Sequence, residues 1–242
     1  MSQASANPPR PSRQSARLWA LAGAGLALYA IVLRRRMNRW GATQDEARSW
    51  LPGDDLHPDR RLVSTRAVTI DAPAEDIWPW LVQMGHGRAG FYSHDWVERL
   101  MGVRYADGHS ATRIHPEFQD LKVGDTVPYH DLNHVPVEAL DYPRLLIAGE
   151  WFVLRPIDGR RTRLIVRTRG GWVEPLARDV PLVGRVLAPL AGLVDRGPGE
   201  LLHSYMETGM LTGIKRRVEA ASRDRPRRRS EATPASSPVT RQ

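Results

Sequence analysis

The stretch VSTRAVTIDAPAEDIWPWLV, residues 63–82, decides the fold. Val63 to Ile70 is rich in β-branched side chains, which predicts a β-strand. An acid and an early proline follow at Asp71 to Pro73, with Glu75 in the next turn, and this combination is typical of a helix start. Four apolar residues then share one helical face: Ile77, Trp78, Leu81 and Val82. A strand that leads directly into an amphipathic helix therefore opens the folded part of the chain.

The residues after this helix predict one more short helix, over Ser93 to Met101, and then strands. The strand candidates are residues 123–129, 136–140, 145–154 and 161–169. Asp158-Gly159 predicts a hairpin turn between the last two. In the last one, Thr162, Leu164, Val166 and Thr168 alternate with four arginines. This alternation predicts one face toward a core or cavity and one toward water.

A long helical pattern over Pro198 to Ala221 follows an insertion at residues 173–196 that is rich in proline, leucine and glycine. Apolar residues recur every four positions in this pattern: Leu202, Met206, Met210, Ile214 and Val218. Gly209 and Gly213 lie one turn apart within it, and each costs about 1 kcal/mol relative to alanine. They require either a close backbone approach or space left for a ligand. The order of elements predicts an α+β helix-grip fold, in which a curved antiparallel sheet wraps on the C-terminal helix.

Leu18 to Leu33 is sixteen residues long and contains neither a charge nor a proline. A helix of this length spans about 24 Å, against about 30 Å for a hydrocarbon core, and its flanking arginines can extend to the interfaces. We therefore predict a transmembrane anchor over residues 17–36. No small-x-small cleavage site precedes the basic run that follows, which argues against a cleaved signal peptide, and the arginines on both sides argue against a buried core helix. The predicted domains are a disordered basic N-terminus (1–16), this anchor, a juxtamembrane linker (37–60), the folded domain (61–221) and a disordered basic tail (222–242).

The net charge of +8 is unevenly distributed along the 242 residues. Residues 1–39 carry +7 and residues 215–242 carry +6, whereas residues 40–214 carry −5. Basic ends beside an apolar stretch favour membrane lipid as a partner over nucleic acid, which usually contacts a basic folded surface. Four arginines closely follow the apolar run, which favours the cytoplasmic side for the domain. The chain has no cysteine, so disulfides and thiolate sites are excluded.

Two motifs that match nucleotide-binding or metal-binding patterns are expected to have structural roles in this context. Gly85 to Gly90 matches G-x-G-x-x-G, but it follows a helix and lacks the βαβ unit of a dinucleotide site, so we interpret it as a tight corner. His130 and His134 have helical metal-ligand spacing, but prolines bracket them and a loop is expected. We predict no metal, no cofactor and no assigned catalytic residue.

Glu150 interrupts the apolar run at residues 145–154. Alternation places it on the face of Leu146, Ala148, Phe152 and Leu154, with Trp151 on the other. The Glu150 side chain either lies on a solvent-exposed face of the sheet, where it pairs with an arginine, or it points into the domain. In the second case burial raises its pKa and it has a function. We favour the outward position.

Residues 70–81 resemble the opening of the SRPBCC superfamily, which includes START lipid-binding domains and polyketide cyclases. Residues 83–85, 90–93 and Asp95-Trp96 are similar to a membrane-anchored bacterial branch of it. The resemblance covers about residues 40–220. It implies a sheet that grips the long helix with an apolar cavity between them, and it carries over no catalytic residue.

We therefore expect a membrane-anchored binding or carrier domain for an apolar molecule such as a lipid, isoprenoid or polyketide. The predicted ligand-binding residues are Tyr92, Trp96, Trp151, Leu164, Val166, Tyr205, Met206 and Met210. Tyr92 and Trp96 are expected near the opening. The alternative is a cyclase- or dehydratase-like enzyme that uses polar groups in the same cavity. The candidates for those groups are His94, Asp95, Glu150 and His203.

Overall fold

The computed structural model describes residues 13–131, 133–170, 195 and 197–231. The predictions for residues 1–12, for most of the 173–196 insertion and for residues beyond 231 fall outside this part. The chain forms two compact units, residues 1–38 and 39–242.

The first unit is helical. It comprises α1 (Arg13–Leu28), a π-helical segment (Tyr29–Leu33) and α2 (Arg34–Met37). Large apolar side chains of α1, among them Leu18, Trp19 and Leu26, are exposed. Among the described residues, no helix combines the length and the apolar character that crossing a membrane requires.

The second unit is an α+β fold with a curved antiparallel sheet and a long C-terminal helix, as the sequence predicts. Its helices are α3 (Gln44–Arg48), α4 (Ala74–Val82), α5 (Asp95–Leu100), a 3-10 turn (Pro116–Phe118) and α6 (Pro198–Glu231). Its strands are β1 (Leu62–Ile70), β2 (Thr126–His130), β3 (Asn133–Pro136), β4 (Ala139–Asp141), β5 (Leu145–Ala148), β6 (Glu150–Asp158) and β7 (Arg161–Arg169). The five-stranded sheet has the order β1-β7-β6-β5-β4, and β2 and β3 form a separate hairpin.

The apolar run at residues 145–154 forms two strands instead of the one expected. The chain reverses at Gly149, which has a φ of +74° that favours glycine, so that Ala148 pairs with Glu150. Directly paired residues of neighbouring strands share a face of the sheet. Glu150 therefore still lies on the same face as Leu146, Ala148, Phe152 and Leu154, as predicted.

The inner face of the sheet packs against α4 and α6. Leu154, Leu164 and Val166 contribute to this core from the sheet, and Trp78, Leu211 and Ile214 contribute from the helices. Thr162, Leu164, Val166 and Thr168 all face inward, as their alternation predicts.

The outer face of the sheet is covered and does not meet water as expected. Residues 40–56, predicted to be a linker, pack on it, and Leu51 is fully buried with Ala67, Val153 and Ile165. A capping box between Thr43 and Glu46 starts α3 at this position. The folded domain therefore begins near residue 40 and not near 61.

Arginines of β7 form ion pairs with this covering segment. The Arg167 guanidinium is buried and pairs with Asp54, which also accepts a hydrogen bond from Arg169 Nε at 3.0 Å. Arg163 Nε donates to Glu46 at 2.8 Å. The alternating arginines of β7 therefore lie at an interface between the sheet and residues 40–56, and ion pairs stabilise this interface.

The buried face of α6 is rotated from the predicted stripe. A step of four residues overshoots a 3.6-residue turn by about 40°, so a strict four-residue series drifts around the helix. Ile214 is buried in the core, whereas Leu202, three steps earlier in the same series, is exposed. His203 and Glu207 are buried instead.

The two glycines of α6 are close-packing positions, which decides between the two explanations left open by the sequence. A Cβ at Gly213 would overlap the backbone oxygen of Tyr92. A Cβ at Gly209 would lie 2.7 Å from His94 Nε2. The residue 91–94 loop, and not a ligand, occupies the space beside them.

Candidate functional site

A row of polar side chains crosses one end of the inner sheet face. Ser64 of β1 pairs with Thr168 of β7, and Thr168 pairs with Glu150 of β6. All three residues are buried. Glu150 therefore points inward, and the outward position that we favoured is wrong. The physical reason is that residues 40–56 cover the outer face of the sheet, which leaves no solvent-exposed position there for a carboxylate.

Two residues of α6 meet this row from above. His203 Nε2 lies 2.8 Å from Glu207 Oε2 and 4.0 Å from Glu150 Oε1. The two α6 residues are four apart, so they lie one above the other on a helix face. Thr168 Oγ1 lies 3.2 Å from His203 Nε2, which joins the sheet and the helix.

Arg66 of β1 completes the cluster. Its guanidinium forms an ion pair with Glu207, and neither side chain is accessible to solvent. It also donates a hydrogen bond of 2.8 Å to Ser64 Oγ. Glu207 Oε1 accepts no hydrogen bond from the residues that the structure describes. We call Ser64, Arg66, Glu150, Thr168, His203 and Glu207 the inner polar cluster.

Burial and mutual charge separate the pKa values of the two glutamates. Burial raises the pKa of Glu150 to about 7, and the negative charge of Glu207 acts in the same direction. Burial would also raise the pKa of Glu207, but the positive charges of Arg66 and His203 outweigh it and lower that pKa. One carboxyl group therefore stays ionised while the other takes up or releases a proton near neutral pH.

The pKa of His203 is raised. Burial by itself would lower it, but Glu207, through its charge and a hydrogen bond, and then Glu150 stabilise the imidazolium. His203 thus accepts a proton more readily than an ordinary histidine. Glu150 and His203, whose side-chain atoms lie 4.0 Å apart, are thus two members of the inner polar cluster with raised pKa values.

Glu150, His203 and Glu207 also qualify geometrically as metal ligands, since one donor atom from each lies within 4.8 Å of the others. Carboxylate and imidazole ligands suit several divalent cations. However, Arg66 already neutralises Glu207, and the cluster is neutral with both carboxylates ionised and His203 protonated. A divalent cation beside a neutral His203 would leave a buried positive charge, so charge balance favours a shared proton.

Several predicted ligand-binding residues lie in the core beside the inner polar cluster. Leu164, Val166 and Met210 are buried there. Trp151 is buried on the opposite face, in contact with His57, so the prediction that it faces the helix is wrong. It pairs with Arg167, and strict alternation from Glu150 requires this position.

The remaining predicted ligand-binding residues do not form a common pocket. Tyr92 is fully buried and not near an opening, because its hydroxyl donates to Trp80 O at 3.0 Å and accepts from Gln83 Nε2. Trp96 is exposed. Tyr205 is half-exposed and stacks on His94 at 3.9 Å, and Met206 Sδ accepts a hydrogen bond from Ser93 Oγ.

The other candidate motifs have structural roles in the described part of the chain. Gly85 and Gly90 form a bridge across a tight corner, as predicted. His130 and His134 lie on the β2–β3 hairpin and not on a helix. Asp95 accepts a hydrogen bond of 2.6 Å from Ser110 Oγ. Of the four enzymatic candidates, only Glu150 and His203 come together.

A surface depression of about 520 Å³ lies at the far end of β6 and β7, away from the inner polar cluster. Charged residues and one glycine line it, and Arg161 in it pairs with Asp158. It therefore does not correspond to the apolar cavity that the sequence predicts.

Sequence reasoning did not identify Ser64, Arg66, Thr168 or Glu207 as site residues. The sequence contains one indication for Arg66: it is separated by an even number of positions from Val68 and Ile70 on the same strand, and it therefore shares their inward face. A second was the four-residue spacing of His203 and Glu207. Neither signal shows that the strand and the helix meet at these residues.

No protein-family model, curated protein or solved structure matches this chain. The candidate site is therefore defined by its own geometry and electrostatics.

Proposed function

We propose that this protein binds a hydrophobic small molecule between the curved sheet and α6, and that it moves a proton to or from a polar group of that molecule. The observation that carries the proposal is the buried pairing of Glu150 and His203, in which the carboxylates of Glu150 and Glu207 both approach the same imidazole nitrogen, Nε2. The proposed reaction class is cyclase- or dehydratase-like.

The energetics of the inner polar cluster support a function for it. Buried ion pairs seldom stabilise a fold more than apolar residues of the same size do. Titratable groups with strongly shifted pKa values occur preferentially at functional sites. The apolar residues beside the cluster, such as Phe152, Val166 and Met210, suit the hydrophobic part of a ligand.

Each residue has a proposed role. The ionised Glu150 removes a proton from a carbon next to a carbonyl group. The protonated His203 donates its proton to a hydroxyl group, which leaves as water, and a carbon–carbon double bond forms. Glu207 stays ionised and holds the imidazole in place. A proton that passes from Glu150 to His203 restores the starting state.

Solvent deuterium exchange tests this proposal directly. The full chain is incubated in D₂O with a long-chain β-keto ester, and deuterium at the carbon between the two carbonyls is measured by mass spectrometry. We expect Glu150→Gln to slow protein-catalysed exchange by about 10²-fold or more. The matched control is Glu138→Gln, which alters a more exposed Glu–His pair with His57. Equal exchange in both variants, or none above buffer in the native chain, contradicts the proposal.

A membrane location is part of the proposal. The exposed apolar side chains of α1 and the arginines of α2 are the combination expected of a helix that attaches to a lipid bilayer. Attachment on the cytoplasmic side would bring the domain close to ligands that dissolve in the bilayer. Deleting residues 1–36 should release the protein from the membrane fraction as a folded domain. Retention of the truncated form in that fraction contradicts attachment through this helix.

The resemblance of residues 70–81 to the SRPBCC superfamily supports the same reading. We propose a helix-grip, START-like arrangement for residues 40–221. In this arrangement a ligand lies between the sheet and the long helix, where the inner polar cluster is found.

A further inference from the structure

Six large apolar side chains are exposed on α5 and on the first turns of α6. They are Trp96, Leu100, Met101, Leu201, Leu202 and Tyr205, and they are between 38% and 80% exposed. We call this set the α5–α6 patch. Exposed apolar residues are common singly, but a group of this kind is a feature of interaction surfaces.

The two helical segments are joined at the patch. The His94 ring lies parallel to the Tyr205 ring at 3.9 Å, and α5 begins at the next residue. Trp96 and Leu100 are four residues apart and therefore lie on one side of α5. The patch is built on contacting elements and not on separated loops.

The carboxylates of these segments are turned away from solvent, and the half-buried Asp95 accepts hydrogen bonds from the hydroxyl and the backbone amide of Ser110. The three glutamates of these segments, Glu98, Glu200 and Glu207, are all buried. Glu98 accepts hydrogen bonds from the backbone amides of Phe91 and Ser93, which holds it inside. The exposed charge of α5 is that of Arg99. An apolar surface with a basic side chain and without an exposed glutamate is complementary to anionic lipid.

We infer that the α5–α6 patch docks on an anionic bilayer surface, with Trp96 and Tyr205 at the level of the headgroups. Trp and Tyr favour this level because their rings are amphipathic. The turn of α6 that exposes Leu202 and Tyr205 carries His203 on its buried side. Docking would therefore place the bilayer on the outer side of the same turn whose inner side belongs to the inner polar cluster.

Absence of cysteine from the chain makes a site-specific test simple. Single cysteines are introduced into the full chain as Trp96→Cys and Leu100→Cys and labelled with a polarity-sensitive thiol fluorophore. Ile157→Cys is the matched control, since it is an exposed apolar residue at the far end of β6. Each protein is mixed with phosphatidylcholine vesicles that contain phosphatidylserine, with and without brominated acyl chains.

We expect bromine quenching to be about threefold or more stronger at positions 96 and 100 than at 157, with a blue shift at the first two. Arg99→Gln, added to Leu100→Cys, should weaken the shift about fivefold in vesicle titrations. Equal quenching at all three positions overturns the inference. A blue shift without vesicles that grows with protein concentration also overturns it, because the patch then contacts a second copy of the chain.

Membrane docking through the α5–α6 patch and proton transfer at the inner polar cluster are tested by independent experiments. The quenching experiment contains no substrate, and the deuterium exchange experiment contains no vesicles. Vesicle binding of the whole chain with no signal at positions 96 and 100 would leave attachment through the N-terminal helix intact and remove docking through the α5–α6 patch.

Discussion

Glu150 Oε1 and His203 Nε2 lie 4.0 Å apart, on β6 and α6, and both side chains are buried. This proximity links the end of the sheet to the first turns of the C-terminal helix through groups that titrate. The stability of the fold therefore depends on how many protons these groups hold.

The first prediction concerns pH. The pKa of Glu150 is raised from 4.5 to about 7 in the folded state, so the folded protein keeps a proton that the unfolded chain loses. The contribution of Glu150 to stability is complete below pH 4.5 and is lost as pH rises through about 7. The loss is on the order of 3 kcal/mol at about 1.4 kcal/mol per pKa unit. His203 acts in the same direction, because its folded-state pKa is also raised.

Glu150→Gln should remove much of this pH dependence. We expect the urea unfolding free energy of the variant to increase relative to that of the native chain as pH rises from about 5 to about 8, because the variant has no Glu150 proton to lose. Glu138→Gln provides the control for changing a glutamate near a histidine. A constant difference between Glu150→Gln and the native chain across this range would show that the Glu150 pKa is not raised.

The second prediction concerns the Arg66–Glu207 ion pair. Arg66→Met leaves Glu207 buried without its main counter-charge and should cost about 3–5 kcal/mol of unfolding free energy. The double variant Arg66→Met/Glu207→Leu removes both charges and should recover much of this loss. Urea titrations of both single variants and the double variant give the coupling energy. Additive single effects would show that the two charges do not interact.

The third prediction concerns the glycines of α6. Gly213→Ala places a Cβ against the backbone oxygen of Tyr92, which cannot move without the loop. We expect it to lower the unfolding free energy by about 1–3 kcal/mol, despite the helix propensity of alanine. Gly209→Ala meets the side chains of His94 and Ser93, which can rotate, and should cost less. Thermal melts compare the two, and a more stable Gly213→Ala variant would indicate free space there.

The fourth prediction concerns the segment that covers the outer face. Asp54 binds Arg167, Arg169 and the backbone amide of Leu51. Asp54→Ala should therefore cost about 3–5 kcal/mol, because it leaves the guanidinium groups of Arg167 and Arg169 without this carboxylate counter-charge. Deletion of residues 1–38 should leave a cooperative thermal unfolding transition, whereas deletion of residues 1–56 should abolish it. A cooperative transition in the longer deletion would support the boundary near residue 61 that we predicted from the sequence.

The sequence by itself determined the local elements of the fold. Alternation on β7 and the Asp158-Gly159 turn were predicted correctly, because strand periodicity and turn chemistry depend on neighbouring residues. The α+β class and the long C-terminal helix follow from the same local information. Glu150 was likewise assigned to the same face as Phe152 and Leu154, although the outward direction favoured for it was wrong.

Only the tertiary structure decided which side of each element is buried and what meets there. The inward direction of Glu150 depends on residues 40–56, which cover the opposite face of the sheet. The rotation of α6, which buries His203 and Glu207, depends on the sheet and loop against which it packs. Arg66, Glu150 and Glu207 lie far apart in the sequence, and the pKa shifts of the two glutamates arise from distances that strand register and helix packing set. Periodicity fixes a residue's angle around its own element, but it carries no information about the partner across the core.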